Sequence, residues 1–185
     1  MSAPSTGFDR LARPYRTLEF AAFGADLERA RFAYLERLAG CRDILLLGEG
    51  DGRCAARLAG MAPQARILCV DSSPGMIARA SRRIAAADAP RVAFLCEDAA
   101  VFTPAAGQFD AVATLFFLDC FGDDEVASLV ARIGPALRPG APWLFADFAV
   151  PPGGFARLRA RAWLALLYAF FRVGAGLRVS ALPSS

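Results

Sequence analysis

Apolar and polar positions alternate between two periods along this chain, and the alternation lays out its elements. Between Asp26 and Ala39, Leu27, Phe32, Leu35 and Leu38 recur on one helical face, with Asp26 as a cap and Gly40 at the end. The run Asp43 to Leu47 is continuously apolar after its first residue and predicts a buried strand. Glycines then follow at positions 48, 50 and 52. Arg53 to Met61 predicts a short helix stopped before Pro63, and Arg66 to Val70 a second strand closing on Asp71. Ser72-Ser73-Pro74 combines a hydroxyl cap with proline in the first turn and starts a helix running to about Ala87.

Val92 to Cys96 and Phe109 to Phe117 predict a third and a fourth strand. Asp123-Asp124-Glu125 places negative charge at the start of a helix ending near Leu137, and Pro142 to Phe148 follows as a fifth strand. Strands alternating with helices predict an α/β architecture, an open and mainly parallel sheet with helices on both faces. In such sheets ligands lie outside the carboxyl ends of the strands, where strand order reverses. The three glycines, Asp71 and Asp98 all fall at such ends.

Composition narrows the chemistry. The 185 residues suit one domain, 56% of them are hydrophobic, and there is no lysine, asparagine or histidine. That bias points to a GC-rich bacterial genome. Without histidine there is no imidazole base, no Ser-His-Asp triad and no His-ligated metal; without lysine there is no Schiff base and no P-loop lysine. The five cysteines are widely spaced with no C-x-x-C pair, as expected of reduced thiols in a cytoplasmic protein, and no metal site is predicted. The start of the chain lacks the pattern of a secretory signal, and no apolar run reaches spanning length.

A glycine turn followed about twenty residues later by an acidic residue also suits a dinucleotide, but G-x-G-x-x-G counted from Gly48 requires glycine where Arg53 stands. In order, Leu47-Gly48-Glu49-Gly50-Asp51-Gly52, Val70-Asp71, Glu97-Asp98-Ala99, Phe109-Asp110-Ala111-Val112 and Leu137-Arg138-Pro139-Gly140 resemble the class I S-adenosylmethionine-dependent methyltransferases. The resemblance spans Ile44 to Asp147 and implies a Rossmann-like fold with S-adenosyl-L-methionine as cofactor.

It further implies that Gly48, Gly50 and Gly52 pack against the methionine portion and that Asp71, beside Ser72, accepts hydrogen bonds from the ribose hydroxyls. Asp98 would accept from the adenine amino group with Ala99 near the ring, Met76 would lie on the adenine face, and Thr114 and Leu115 would sit beside the methionine end. The family usually carries an acidic residue two positions before the first glycine; this chain has Leu46 there, with Glu49 as its expected substitute. On the bland alternative, Asp71 starts a helix and Asp98 caps a loop.

A sulfonium methyl donor needs orientation more than a strong base. If a base acts, Asp119 after the fourth strand and Tyr15 in the N-terminal segment are the candidates, each with a structural alternative as turn cap or lid anchor. Phe116, Phe117, Phe121 and the segment from Tyr15 to Phe23 favour a small apolar or aromatic acceptor. Scattered arginines without a basic aromatic stripe argue against nucleic acid.

The expected organisation is a single methyltransferase-like domain: an N-terminal helical lid (1–40), a cofactor-binding core (41–148) and an apolar basic helix (149–185). Phe155 to Val173 joins Arg157, Arg159 and Arg161 to a strongly apolar run, suited to capping the site, to a homodimer or to an anionic membrane surface. The family's two further strands, an antiparallel hairpin, have no counterpart in what remains. The fifth strand is therefore expected as an apolar edge, covered by the C-terminal helix or by a partner, or left bare by truncation. A catalytically silent binding or partner subunit is the alternative function.

Overall fold

A computed structural model describes residues 25–148 together with 153, 154 and 158. Tyr15, the rest of the N-terminal segment before residue 25 and the predicted helix from Phe155 lie outside the described residues, Leu158 excepted.

The elements, in order, are α1 (Asp26–Phe32), β1 (Asp43–Leu47), α2 (Arg53–Met61), β2 (Arg66–Asp71), α3 (Pro74–Arg83), β3 (Val92–Cys96), β4 (Ala111–Leu115), α4 (Asp123–Ile133) and β5 (Trp143–Ala146), with short 3-10 turns between some of them. All strand pairs are parallel and the sheet order is β3-β2-β1-β4-β5. The chain first winds outward from β1 to β3, then crosses back to β4. The reversal therefore falls between β1 and β4, which places the ligand crevice at their carboxyl ends.

The continuous apolar runs read in the sequence arise because the central strands are covered on both faces. Ile44, Leu46, Ile67, Cys69, Ala111 and Ala113 face one layer with Leu35, Leu38, Ala55 and Leu58. Leu45, Leu47, Val70 and Val112 face the other, with Phe102, Leu129 and Ile133. β5 pairs on one side only among the described residues, and Phe145 is 57% exposed.

Several element ends differ from the sequence expectation. The first helix stops at Phe32, and Leu35–Leu38 forms a 3-10 turn after Tyr34, whose φ of −125° breaks the helix. A three-residue turn superposes Leu35 and Leu38, both 0% exposed, on the core side; a continuous α-helix would set them about 60° apart. Asp26 lies inside α1 and pairs with Arg29, while Ala25 is the N-cap and makes no side-chain cap.

α3 ends at Arg83, four residues early, because Ile84 turns extended and packs against the core. α4 ends at Ile133 and tightens into a 3-10 turn at Gly134–Ala136, since Pro135 has no N–H to continue the ladder. β4 is shorter than Phe109–Phe117: Phe109 keeps one bridge to Leu137, and Phe116, with φ 55°, ends the strand.

Candidate functional site

The glycine turn after β1 is built from three positive-φ residues with different surroundings. Gly48, Gly50 and Gly52 have φ of 67°, 67° and 86°. A Cβ on Gly52 would stand 2.5 Å from the Ala80 Cα, so this glycine lets α2 and α3 close on each other. A Cβ on Gly48 would stand 2.0 Å from the Phe117 ring, so an aromatic side chain covers that position. A Cβ on Gly50 would meet nothing within 4 Å, which makes Gly50 the open part of the turn.

Asp71 ties this turn to β2. Its Oδ2 accepts the Gly50 N–H at 2.9 Å and its Oδ1 accepts the Ser73 N–H at 2.9 Å. A carboxylate only accepts, which suits it to a ligand's hydroxyls. Ser72 joins Asp71 to the α3 cap, where the Ser73 Oγ accepts the Met76 N–H at 3.2 Å and Met76 is buried. Asp51 is clamped from two sides, by Arg53 at 3.0 Å and by Arg83 at 3.0 Å.

Glu49 points inward. Its Oε1 accepts the Ala55 N–H at 2.9 Å, satisfying a first-turn donor of α2. Burial pushes its carboxyl up to about 7, against the opposing pull of that hydrogen bond and of Arg31. Arg31 reaches in from α1 and stacks over the Phe116 ring, 5.4 Å from its centroid. With Glu49, Gly48, Cys54 and Leu115 it lines a cavity of about 10 Å³, the space of one water.

After β3, Asp98 is exposed and its Oδ1 accepts the Ala100 N–H at 2.9 Å, while Ala99 is buried in the second core layer. Thr114 is fully buried, and its hydroxyl accepts the Trp143 indole N–H at 3.0 Å. Leu115 is buried beside the glycine turn. Gly48, Glu49 and Leu115 thus line one small cavity, while Gly50 bonds to Asp71 at the end of β2; Gly52 serves helix packing, and Thr114 contacts β5.

Asp119 is 5% exposed, and its N–H donates to Asp147 Oδ2 at 3.0 Å. Burial and then the Asp147 charge push the Asp119 carboxyl up to about 7. Burial also raises Asp147. Sequence reasoning missed Asp147 as a site residue, although a carboxylate at the end of a predicted strand was a usable signal. Arg31 and the ring of Phe117 over Gly48 carried no such signal, because long-range packing brings them there.

An open parallel sheet with a glycine turn after β1 and a carboxylate at the end of β2 defines an α/β protein whose ligand crevice lies at the carboxyl ends of its strands. Residues 44–140 match the family model described as a methyltransferase domain, and the chain belongs to that family. It is 36% identical over 149 residues to the demethylmenaquinone methyltransferase of Thermus thermophilus, covering 80% of this chain and 66% of that protein.

Among solved structures, the apo form of the S-adenosylmethionine-dependent methyltransferase SibL superposes with a TM-score of 0.62 at 22% identity, over 86% of this chain and 45% of SibL. The Burkholderia thailandensis 1,6-didemethyltoxoflavin-N1-methyltransferase, with bound 1,6-didemethyltoxoflavin and S-adenosylhomocysteine, gives 0.61 at 22% identity, over 85% of this chain and 72% of that one. The chain therefore spans about two thirds of the curated relative and less than half of SibL. The open face of Gly50 beside the Asp71 carboxylate leaves that part of the turn uncovered by side chains.

Proposed function

We propose that this protein is a cytoplasmic enzyme that transfers a methyl group from S-adenosyl-L-methionine to a small aromatic or otherwise apolar acceptor, not to nucleic acid. The observation that carries this reading is the hydrogen bond from Gly50 to Asp71, 2.9 Å, which fixes an open glycine after β1 against the carboxylate ending β2 in a methyltransferase-family chain. When bound, the cofactor supplies an electrophilic methyl group on a sulfonium.

Asp71, whose backbone bonds fix it at the end of β2, accepts from the ribose diol, and Asp98, exposed beside buried Ala99, accepts from the adenine amino group. Met76 packs against the base. Glu49 holds the turn through α2, and Asp51, clamped by Arg53 and Arg83, holds it from outside. The chain's contribution to rate is then to align the acceptor with the methyl group and exclude water, which is what phenylalanine walls do.

Phe116, Phe117 and Phe121 lie just beyond the carboxyl end of β4, with the Phe117 and Phe121 rings 5.0 Å apart. The relative named for demethylmenaquinone makes a quinol-type aromatic ring the first acceptor to test.

Calorimetric titration with S-adenosylmethionine and S-adenosylhomocysteine tests the cofactor site. Binding is expected, with Asp71→Ala at least about tenfold weaker, a loss of roughly 1.4 kcal/mol. A folded protein that binds neither would refute the reading. Binding without methyl transfer across an acceptor panel would favour a catalytically silent partner subunit, the reading suggested by the one-sided pairing of β5.

A further inference from the structure

We propose that Asp119 and Asp147 act as one proton-holding pair at the carboxyl ends of β4 and β5, with Asp147 as the positioning partner, and that the pair takes the proton of a hydroxyl-bearing aromatic acceptor. The inference rests on the methyl-transfer reading above and adds residues and an acceptor class to it.

The fold brings the two carboxyl groups together. Leu115 and Ala146 are in register at the ends of neighbouring parallel strands, and the Phe116 N–H bonds to the Ala146 carbonyl at 2.7 Å. Asp147 follows directly. The left-handed turn at Phe116, φ 55°, leads the chain into the 3-10 turn Leu118–Cys120, which carries Asp119 back to Asp147. Both Asp147 oxygens are held by backbone, Oδ2 by the Asp119 N–H at 3.0 Å and Oδ1 by the Phe148 N–H at 2.8 Å. The Asp147 charge also acts on the Asp119 carboxyl and raises it.

Neither carboxyl pairs with an arginine among the described residues, in a chain whose other buried and half-buried carboxylates mostly do. A buried acidic pair without a cation costs stability, so it is not there to hold the fold. The groups facing Asp119 are Asp147 from the end of β5 and the Cys120 thiol, 3.9 Å away; Asp71 from β2 acts on Cys120, and Arg31 from α1 lies over Phe116. Two carboxylates this close share one proton that leaves near neutral pH, and the ionised pair is the form that accepts a proton.

The surroundings supply the acceptor class. Phe117 and Phe121 stand two residues to either side of Asp119 with their rings 5.0 Å apart, Phe117 reaches to Gly48, and Phe116 packs on Phe148 at 5.0 Å. An aromatic hydroxyl fits such walls and has a proton to lose. In that step the acceptor O–H bond breaks with its electron pair left on oxygen, the proton forms an O–H bond on the pair, and the negative charge passes to the acceptor.

Carboxyl carbon NMR of the protein without cofactor tests the pair directly. Asp119 is expected to titrate near neutral pH and to move down by about one unit or more in Asp147→Asn. Asp147→Ser, which also removes the charge and keeps an acceptor for the Asp119 N–H, serves if the first variant misfolds. An unchanged Asp119 midpoint overturns the proposal.

Methyl transfer to reduced demethylmenaquinone, followed from pH 5.5 to 8.5, provides the second arm. The acidic limb should follow the NMR midpoint downward in the Asp147 variant. A limb that stays in place, or transfer by Asp119→Asn at the unaltered rate, overturns the proton-transfer role. If the unaltered protein binds no cofactor, the methyl-transfer reading fails instead, and the NMR result alone decides whether the pair exists.

Discussion

Gly50 and Gly52 stand two residues apart with the same sign of φ, yet they answer to different demands. Both conformations disfavour a side chain by roughly 1–2 kcal/mol. At Gly50 the space beside the backbone is open, whereas at Gly52 a methyl would strike the α3 backbone at Ala80. Gly52→Ala should therefore lose about 3 kcal/mol or more, the strain and the overlap together. Gly50→Ala should lose only about 1–2 kcal/mol while weakening S-adenosylmethionine about tenfold. Chemical denaturation and calorimetry on both variants separate the two roles; equal stability losses would contradict them. The three glycines were legible in the sequence as a turn, but their division of labour depends on Ala80 and Phe117, 28 and 69 residues away from their respective glycines.

At the scale of elements, arginine does much of the joining. The Arg91 guanidinium donates to the carbonyls of Ala62 at 2.9 Å and Ala65 at 3.2 Å, and also to Ala59 and Asp88. It thereby satisfies acceptors that the end of α2 leaves without intrahelical partners. Arg132 donates to the loop carbonyls of Ala99 and Phe102, and Arg138 to that of Gly107. Arg91→Met keeps the apolar stem and removes the donors, so it should cost about 2 kcal/mol, read as a lower urea midpoint with an unchanged slope. An unaltered midpoint would show that water replaces the guanidinium without loss.

Strand positions were legible because an apolar run must be buried wherever it occurs. β1 and β3 and the helix Arg53–Met61 have the predicted bounds. Ends set by packing were not: the break at Tyr34 and the inward turn of Ile84 each serve a core that forms only when distant segments meet.

For the molecule as a whole, the buried acids set how stability varies with pH. Glu49 and Asp119 titrate near 7 in the folded protein and near 4 when unfolded. The folded state thus holds protons that the unfolded state has already released between about pH 4 and 7. Their contribution is fully present below that window and lost as pH rises through it. Unfolding free energy should fall by a few kcal/mol from pH 5 to pH 8, with Glu49→Gln and Asp119→Asn each flattening the curve. A flat profile in the unaltered protein would show that neither carboxyl is protonated at neutral pH.

The sequence by itself determined the alternation of strands and helices, the glycine turn, and the carboxylates at strand ends, because propensity, periodicity and turn chemistry act over a few residues. It also pointed to the cofactor, through the order of five short motifs. Only the tertiary structure decided that Phe117 covers Gly48, that Glu49 serves α2, and that Asp147 stands against Asp119. Those contacts join residues on neighbouring strands or across layers, and their energies exist only once the sheet has brought the strand ends together.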